Sequence, residues 1–584
     1  MKLLSRIVAT LTLCAGAPLF GAINLAAHTS WSGVAAKATP LGGAGGSADD
    51  AGPASPGQDI AVTDPTHNGG DTAVCTSSSH DDRPAIQTTL NYASNNGIPI
   101  VTMPGANCYM NSYADVGGVT GNLQIPNGVT LQGFAASTKI LQTSLGRPTC
   151  TDLCTVTVIN VGTFAVTWSK MGCPSAPGPC TGYYPLNPTT AGSKVVSLGN
   201  SFQGPLFHIG DYITIYEHQP QAQDDVLNGF QSIVINVSGG TITLADNLAR
   251  SWPNPYLGNL STGASQGIAH IGHDIGVKGI IVEGACPILM TESFQVTLQN
   301  DEFISDTDLY DSNHQYISVP QWNSLVHYTF ASNQFISTGI NGNWWAAEMT
   351  QRNSGFGLWT DNVLGVAGPA GFGSWGLSEF AYSITFTSNQ VFTNPVSDQV
   401  CGFNLGAQNA TISNNTFHTS GSWSTPGGGL ICDIVALPSA YPAHGNITYS
   451  GNTVICNASG NPCVALQALQ GLRWDANVIE VPSGSSSLFG ILLQYYPADT
   501  QIDNNRIYVQ GGFGIYAIPS ADAGWTINGN TVTAVNGVTG ITVGPNPNPG
   551  GGSCSVQNNM SSSGFSASVS LDLTNRPCTV ANNH

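Results

Sequence analysis

Ser332-Asn-Gln-Phe335 returns along this chain as Asp361-Asn-Val-Leu364, Ser388-Asn-Gln-Val391, Asn414-Asn-Thr-Phe417 and Gly451-Asn-Thr-Val454. It continues as Ala476-Asn-Val-Ile479, Asn504-Asn-Arg-Ile507, Gly529-Asn-Thr-Val532 and Asn558-Asn-Met560. The recurring residues are Asn333, Asn362, Asn389, Asn415, Asn452, Asn477, Asn505, Asn530 and Asn559, with gaps of 29, 27, 26, 37, 25, 28, 25 and 29 residues. A period of this size is the signature of a solenoid. Each Asn lies between short β-type runs such as Thr385-Phe386, Thr411-Ile412 and Thr526-Ile527. Asn tolerates the left-handed backbone that a tight turn between strands requires. One Asn at the same corner of every turn lets the side-chain amides stack and hydrogen-bond, satisfying polar groups that burial would otherwise penalise. The segments lack the i, i+3, i+4 apolar spacing of helical repeats. The expected fold class is therefore all-β, a right-handed parallel β-helix with three short strands per turn.

Working outward, Asp82-Arg83-Pro84-Ala85-Ile86 predicts a helix with an acidic first turn, and Asn95-Asn96-Gly97 ends it. Ile98 to Met103 reads as a strand, and Leu123 to Gly133 as two more around a tight turn. The stretches DDRPAIQTTLNYASNNGIPIVTMPG (81–105) and LQIPNGVTLQGFAASTKI (123–140) resemble the opening of the pectin lyase-like superfamily, in particular its rhamnogalacturonase/epimerase-type pectate lyase group. The resemblance implies that the amphipathic helix caps the first turn of the β-helix, covering core and strand edges that an open end would expose. It covers roughly residues 80–145, then the repeat in pattern only. It speaks to fold more than to activity, because the superfamily holds lyases, hydrolases, epimerases, esterases and phage tailspikes.

Residues 146–262 break the period. There Gly210 to Tyr216, Ser232 to Val237 and Gly240 to Leu244 alternate like strands of a small sheet, which predicts a β-rich insertion. The expected organisation is a signal peptide over 1–38, a flexible leader over 39–80, the cap and first turns over 81–145, the insertion over 146–262, and the main β-helix over 263–584. Asp301 or Asn300 is expected at the ladder corner of the first main turn, and the pattern fades after Asn559.

Lys2 and Arg6 precede an apolar stretch from Ile7 to about Ala27, broken by Gly16, Pro18 and Gly21 and followed by small residues. A cleaved secretory signal is favoured over a membrane anchor. The chain carries 14 Lys and Arg against 33 Asp and Glu, a net charge of −19. Loss of residues 1–38 removes three positive charges and leaves −22. Such a surface disfavours nucleic acid and anionic lipid as partners. A polysaccharide partner, no membrane contact after signal cleavage, and a monomer are expected. Outside Cys14, the cysteines pair by proximity as Cys75 with Cys108, Cys150 with Cys154, Cys173 with Cys180, Cys401 with Cys432, Cys456 with Cys463, and Cys554 with Cys578, leaving Cys286. In an exported protein disulfides are the favoured reading, and no paired CxxC motifs suggest zinc.

In a β-helix, polymers lie across one long parallel sheet. Counting back from each Asn places the strands of that sheet at Ala285–Thr291, His314–Val319, Asn343–Met349, Gly371–Leu377, Cys401–Leu405, Leu430–Val435, Cys463–Gln467, Gly490–Gln494 and Gly514–Ile518. Carboxylates on or just after them are Glu292, Glu348, Glu379 and Asp433. Neighbouring turns lie about 4.8 Å apart and alternate turns about 9.6 Å. These separations bracket the roughly 5 to 9.5 Å between carboxyl groups in retaining and inverting glycosidases. Glu348 with Glu379 is the expected catalytic pair, with Asp433 as third member. Trp322, Trp344, Trp345 and Trp375 with Tyr316 and Arg352 are the candidate sugar-binding residues, in a region that also holds Trp359 and Tyr328. Each of these has an ordinary alternative as a solvated turn or core residue.

Asp306, Asp308 and Asp311 make an acidic loop ahead of His314. Its Tyr310-Asp311-Ser312-Asn313-His314 is similar to the Tyr-Asp-Pro-His arrangement of alginate epimerases, with Pro replaced and the spacing one longer. It is the candidate site for Ca²⁺; the hydrolase reading requires no cofactor. His273-Asp274 reads as an ordinary turn. The Asn-Thr-Asp, Asp-Asp, Gly-His-Gly and Arg-Ile-Lys set of polygalacturonases is absent, as is the Trp-Ile-Asp-His signature of pectate lyases. Lys278 is the only lysine of the main solenoid, which disfavours uronate elimination. A secreted glycoside hydrolase is the leading expectation. A Ca²⁺-assisted lyase or epimerase and a noncatalytic carbohydrate-binding β-helix are the alternatives.

Overall fold

The computed structural model describes residues 59–143 (apart from 113 and 117–118), 157–162, 183–217, 230–261, 272–305 (apart from 285), 321–337, 349–365 (apart from 353), 375–377, 381–393, 401–405, 408–422, 429–433, 446–459, 462–466, 471–481, 489–495, 499–519, 524–544, 554–572 (apart from 563) and 578–584. At some of these only the backbone is described.

Three parallel sheets wind along the chain. In a typical coil a three-residue strand such as Thr385–Thr387 leads into the ladder Asn, a second strand such as Gln390–Thr393 follows it, and a third such as Cys401–Leu405 completes the turn. Each pairs in parallel with its counterparts one coil earlier and later: Thr385 with Leu358 and Thr411, Gln390 with Val363 and Thr416, Phe403 with Trp375 and Ile431. The expected right-handed parallel β-helix is the architecture. The third-sheet strands fall at Cys401–Leu405, Gly429–Asp433, Val464–Leu466 and Phe489–Tyr495, close to expectation. Earlier they lie at Gln321–Val326 and Met349–Arg352, several residues past the places counted back from Asn333 and Asn362. Between Gln321–Val326 and the next first-sheet strand Thr329–Ala331 only two residues intervene, against five between Cys401–Leu405 and Thr411–Ser413, so the first of these strands lies closer to its Asn than expected.

The core is a stack of middle residues from the first sheet. Phe330, Trp359, Phe386, Ile412, Tyr449, Trp474 and Ile502 are all buried, one per coil. Alternation in the strand turns the two flanking residues outward. The nine recurrent asparagines are buried to 1% exposure or less. Each ladder amide reaches back one coil: Asn362 Oδ1 accepts from Asn333 N at 2.9 Å, and its Nδ2 donates to Phe330 O at 2.8 Å. The ladder starts at Asp301, whose N–H donates to Asn333 Oδ1. It does not fade at Asn559, because Asn583 Oδ1 accepts from Asn559 Nδ2 at 2.8 Å.

The left-handed turn residue is the one before the ladder Asn, not the Asn itself. Asn300, Ser332, Asp361, Ser388, Asn414, Ala476, Asn504 and Asn558 have φ between 53° and 58°, with Gly451 and Gly529 at 64° and 67°. The ladder Asn is thus free to turn its amide inward while its neighbour makes the corner.

The helix Arg83–Asn95 forms as expected, with Pro84 in its first turn and Ala85, Ile86, Leu90 and Ala93 buried against the first coils. Its first turn contains no acid: Asp82 occupies the N-cap position and turns its carboxylate to Cys75 N (2.7 Å) and Tyr109 N (2.6 Å). Order begins before Asp81. Asp59–Ala61 pairs in parallel with Ile100–Thr102, and Val62 and Val74 are buried, short apolar anchors hidden in a Gly- and Asp-rich leader. Likewise Thr157–Gly162, within the stretch assigned to the insertion, is a solenoid strand pairing with Val119–Ile125 and Cys286–Gln299.

The insertion proper, 183–261, is a six-stranded antiparallel sheet in the order Val195–Ser197, Thr241–Leu244, Phe230–Ser238, Tyr212–Glu217, Pro255–Asn259, Tyr183–Pro185. A Leu186–Leu198 bridge joins the end strands and closes it into a small barrel around Phe207, Ile213, Ile215, Phe230 and Trp252. It packs on the corners that lead into the first sheet. Tyr382 Oη bonds both Gln231 N (2.9 Å) and Gln231 O (3.3 Å), and Phe356 meets Phe230 edge-on. Disulfides join Cys75 to Cys108, Cys456 to Cys463 and Cys554 to Cys578, as expected. Cys150, Cys154, Cys173 and Cys180 lie outside the described residues, and Cys286, Cys401 and Cys432 are described by backbone alone.

Candidate functional site

The outward positions of the first sheet form two parallel rows. One runs Thr297, Thr329, Leu358, Thr385, Thr411, Thr448, Arg473, Gln501, Thr526, Ser555. The other runs Gln299, Ala331, Thr360, Thr387, Ser413, Ser450, Asp475, Asp503, Asn528, Gln557 in the same register. Fifteen of these twenty positions are hydroxyl or amide. Between Gln299 and Gln557 the charges of this strip fall on two adjacent strands, where Asp475 pairs in register with Asp503 and Arg473 with Gln501; one strand before Gln299 the row continues at the exposed Lys278.

Paired strands lie about 4.8 Å apart, so the two carboxylates project side by side. Asp503 is half-buried. Its Oδ1 accepts from Asn528 N at 3.0 Å and Thr526 Oγ1 at 3.2 Å. Burial raises its pKa above the ordinary carboxylate value, and the neighbouring Asp475 charge adds to this against the pull of those hydrogen bonds and of Arg473. Asp475 Oδ1 accepts from Asn504 Nδ2 at 2.9 Å, which fixes the carboxylate's orientation. Two carboxyl groups placed side by side, one held toward its acid form, are the elements of acid–base division of labour. The signal was present in the sequence. Both acids stand two residues before a ladder Asn, in Asp475-Ala-Asn477 and Asp503-Asn-Asn505, so the repeat alone aligns them.

Of the residues singled out from sequence, Glu348, Glu379, Trp344, Trp345, Tyr316, Asp306, Asp308 and Asp311 lie outside the described residues. Met349, next to Glu348, pairs with Trp375, four residues before Glu379. Glu292, Trp322, Arg352, Trp375 and Asp433 are described by backbone alone. Trp375 shares a register column with Phe403, and Asp433 pairs with Leu466; both of those partners are buried. Trp322 pairs with Gln351 and stands beside the buried Met290. Two aromatics of the same region are core residues: Trp359 and Tyr328 are each 1% exposed.

Two histidine pairs lie where barrel and solenoid meet. His327 Nε2 is 2.8 Å from Asp246 Oδ2, which also accepts from Ser232 Oγ. His273 Nδ1 is 2.9 Å from Asp274 Oδ2, and Tyr212 stacks on the imidazole. The Tyr212 phenol is pushed up to about 12 by burial and by Asp274. Among the described residues the one cluster of metal-type donors is Cys75, Asp82 and Cys108. Both its sulfurs are consumed in a disulfide and its carboxylate is held by backbone N–H groups, so it does not fit a metal. No described helix is long and apolar enough to cross a membrane.

No family model matches this chain. No curated protein matches it either. Among solved structures it is similar to a tailspike protein mutant of E. coli bacteriophage HK620 in complex with pentasaccharide, at 11% identity and a TM-score of 0.46, covering 90% of this chain and 80% of that one. It is also similar to the tailspike of Pseudomonas phage phi297 (13%, TM-score 0.40, covering 82% and 68%). A third is the tailspike protein of Pseudomonas phage LKA1 (11%, TM-score 0.39, covering 84% and 77%). These are tailspikes, not pectate lyases. At such identities and scores they carry no argument about this chain, whose architecture rests on the strand pairing above.

Proposed function

We propose that this protein is a secreted glycoside hydrolase acting on an extended polysaccharide, with Asp503 as general acid and Asp475 as nucleophile. The supporting observation is that, from Gln299 to Gln557, the charges of a long strip fall on two strands in register. A carboxyl pair on neighbouring strands matches the roughly 5 Å spacing of retaining enzymes. In the first step the anomeric carbon–oxygen bond breaks, a bond from that carbon to Asp475 forms, and the Asp503 proton goes to the departing oxygen. In the second, Asp503 takes a proton from water as the water displaces Asp475. Arg473, two residues before Asp475 on the same strand and outward like it, holds substrate. The helix Arg83–Asn95 serves as the end cap, and residues 1–38 as the export signal.

A second reading, a noncatalytic carbohydrate-binding β-helix, is favoured by one feature. Asn528 makes the same bonds one coil later, accepting from Gln557 N and Ser555 Oγ, so Asp503 also has a structural use. Asp503→Asn separates the two, because an amide oxygen keeps the bond to Asn528 N. Wild-type protein should release reducing ends from at least one member of a polysaccharide panel. Asp503→Asn should lower that rate by about 10²- to 10⁴-fold with no fall in unfolding temperature. Activity should also fall as pH rises through the elevated Asp503 pKa, since the ionised acid has no proton to give. Undiminished activity in Asp503→Asn but loss in Glu348→Gln or Glu379→Gln moves the site to those residues. Unsaturated products abolished by a chelator would instead favour the Ca²⁺-assisted lyase or epimerase using Asp306, Asp308 and Asp311.

A further inference from the structure

The strip on either side of the carboxylate pair carries information about what lies on it. On one side three consecutive coils present hydroxyls at both outward positions: Thr385 with Thr387, Thr411 with Ser413, and Thr448 with Ser450. On the other side come Thr526 with Asn528 and Ser555 with Gln557. Thr385 and Thr411 are exposed and the others half-exposed. The barrel stands against the corners leading into two of these strands, through Tyr382 and through Asn409 Nδ2 to Ala249 O. It therefore borders the strip along that flank.

We propose, building on the hydrolase reading, that the substrate is a neutral, unbranched polysaccharide lying along the solenoid axis, with about one pyranose ring over each coil. Hydroxyl and amide side chains donate and accept alike, so they match sugar hydroxyls in either orientation. The coils repeat at about 4.8 Å, close to the length one ring adds to an extended chain. A polyuronate would place one carboxylate over nearly every coil. Along the strip it meets only two cations, Lys278 beside Gln299 at one end and Arg473, already flanked by two acids, on a chain of net charge −19. Repulsion from that field disfavours a polyanion. A neutral chain meets no such cost and gains a weak hydrogen-bonded contact at each coil.

The test is calorimetric titration of Asp503→Asn protein with manno-, xylo- and cello-oligosaccharides of two to eight units, and with oligogalacturonates of the same lengths. The non-cleaving variant keeps the ligands intact. One neutral series should bind with Kd falling at each added unit, and the oligogalacturonates should bind at least tenfold more weakly. Replacing Thr385, Thr411 and Thr448 together by Ala should weaken the longer neutral ligands about tenfold and leave the shortest unchanged. Tighter binding of oligogalacturonates, binding independent of length, or no binding of any neutral series overturns the proposal. Wild-type protein that binds a neutral series in this way but releases no reducing ends from the matching polymer leaves the substrate class standing and removes only the catalytic reading.

Discussion

Asn452 shows what one residue contributes to this fold. Its Oδ1 accepts from Asn415 N and Nδ2, and its Nδ2 donates to Ile412 O and Asn477 Oδ1, all at 2.8–3.0 Å and fully buried. Asn452→Ala would leave an N–H and a carbonyl unpartnered in the core, each costing about 1–3 kcal/mol. Denaturant titration should show a loss of about 3 kcal/mol with the repeat otherwise intact. Asp301 occupies the same corner with a carboxyl. Burial pushes it up to about 8 against the N–H donors of Ile280, Gln299 and Gly279. A carboxyl whose folded pKa lies above its unfolded value near 3.8 binds a proton in the fold that the open chain has lost. Its contribution to stability therefore falls as pH climbs from about 4 to about 8. Asp301→Asn supplies a neutral amide, so its unfolding temperature should exceed the parent's by a margin that widens over that range. An equal margin at pH 4 and pH 8 would contradict this account. The ladder asparagines could be read from spacing, but the ladder corner of the first main turn could only be narrowed to Asn300 or Asp301.

At the scale of elements, strands and corners follow different rules. The strands are set by local pattern: one inward residue between two outward ones, as in Thr385-Phe-Thr387, needs no distant information. Corners are costlier. His327 and Phe356 take φ of 54° and 52°, in a region bulky side chains rarely occupy. Both are held by the barrel, His327 through Asp246 and Phe356 against Phe230. Docking thus fixes backbone that the solenoid alone would not favour. Tyr382, joined to the barrel backbone by two bonds, makes this testable. Tyr382→Phe keeps the ring but leaves Gln231 N–H without that partner, and should lower stability by about 1–2 kcal/mol. Hydrogen exchange should localise the loss to the barrel strands Phe230–Ser238 and Tyr212–Glu217. Uniform loss along the solenoid would assign Tyr382 to the coil alone.

For the whole molecule, a low-charge chain becomes a long surface on which a few charges can be gathered. Charged residues are 8% of the sequence, and on the first sheet the repeat brings Arg473, Asp475 and Asp503 together across 28 residues of chain. The periodic Asn determined the solenoid and most of the ladder, because one buried amide per turn is a local requirement repeated at a near-constant distance. That same period also determined that Asp475 and Asp503 align. Where aromatic and polar residues do not alternate cleanly, tertiary structure decided which side of the sheet a residue occupies, since a one-residue change of register reverses inside and outside. It was register that put Trp359 and Tyr328 in the core, although their clustering with other aromatics suggested a groove. It also decided where the barrel sits, because that contact joins residues some 150 apart, as Gln231 and Tyr382, and no local pattern encodes so distant a partner.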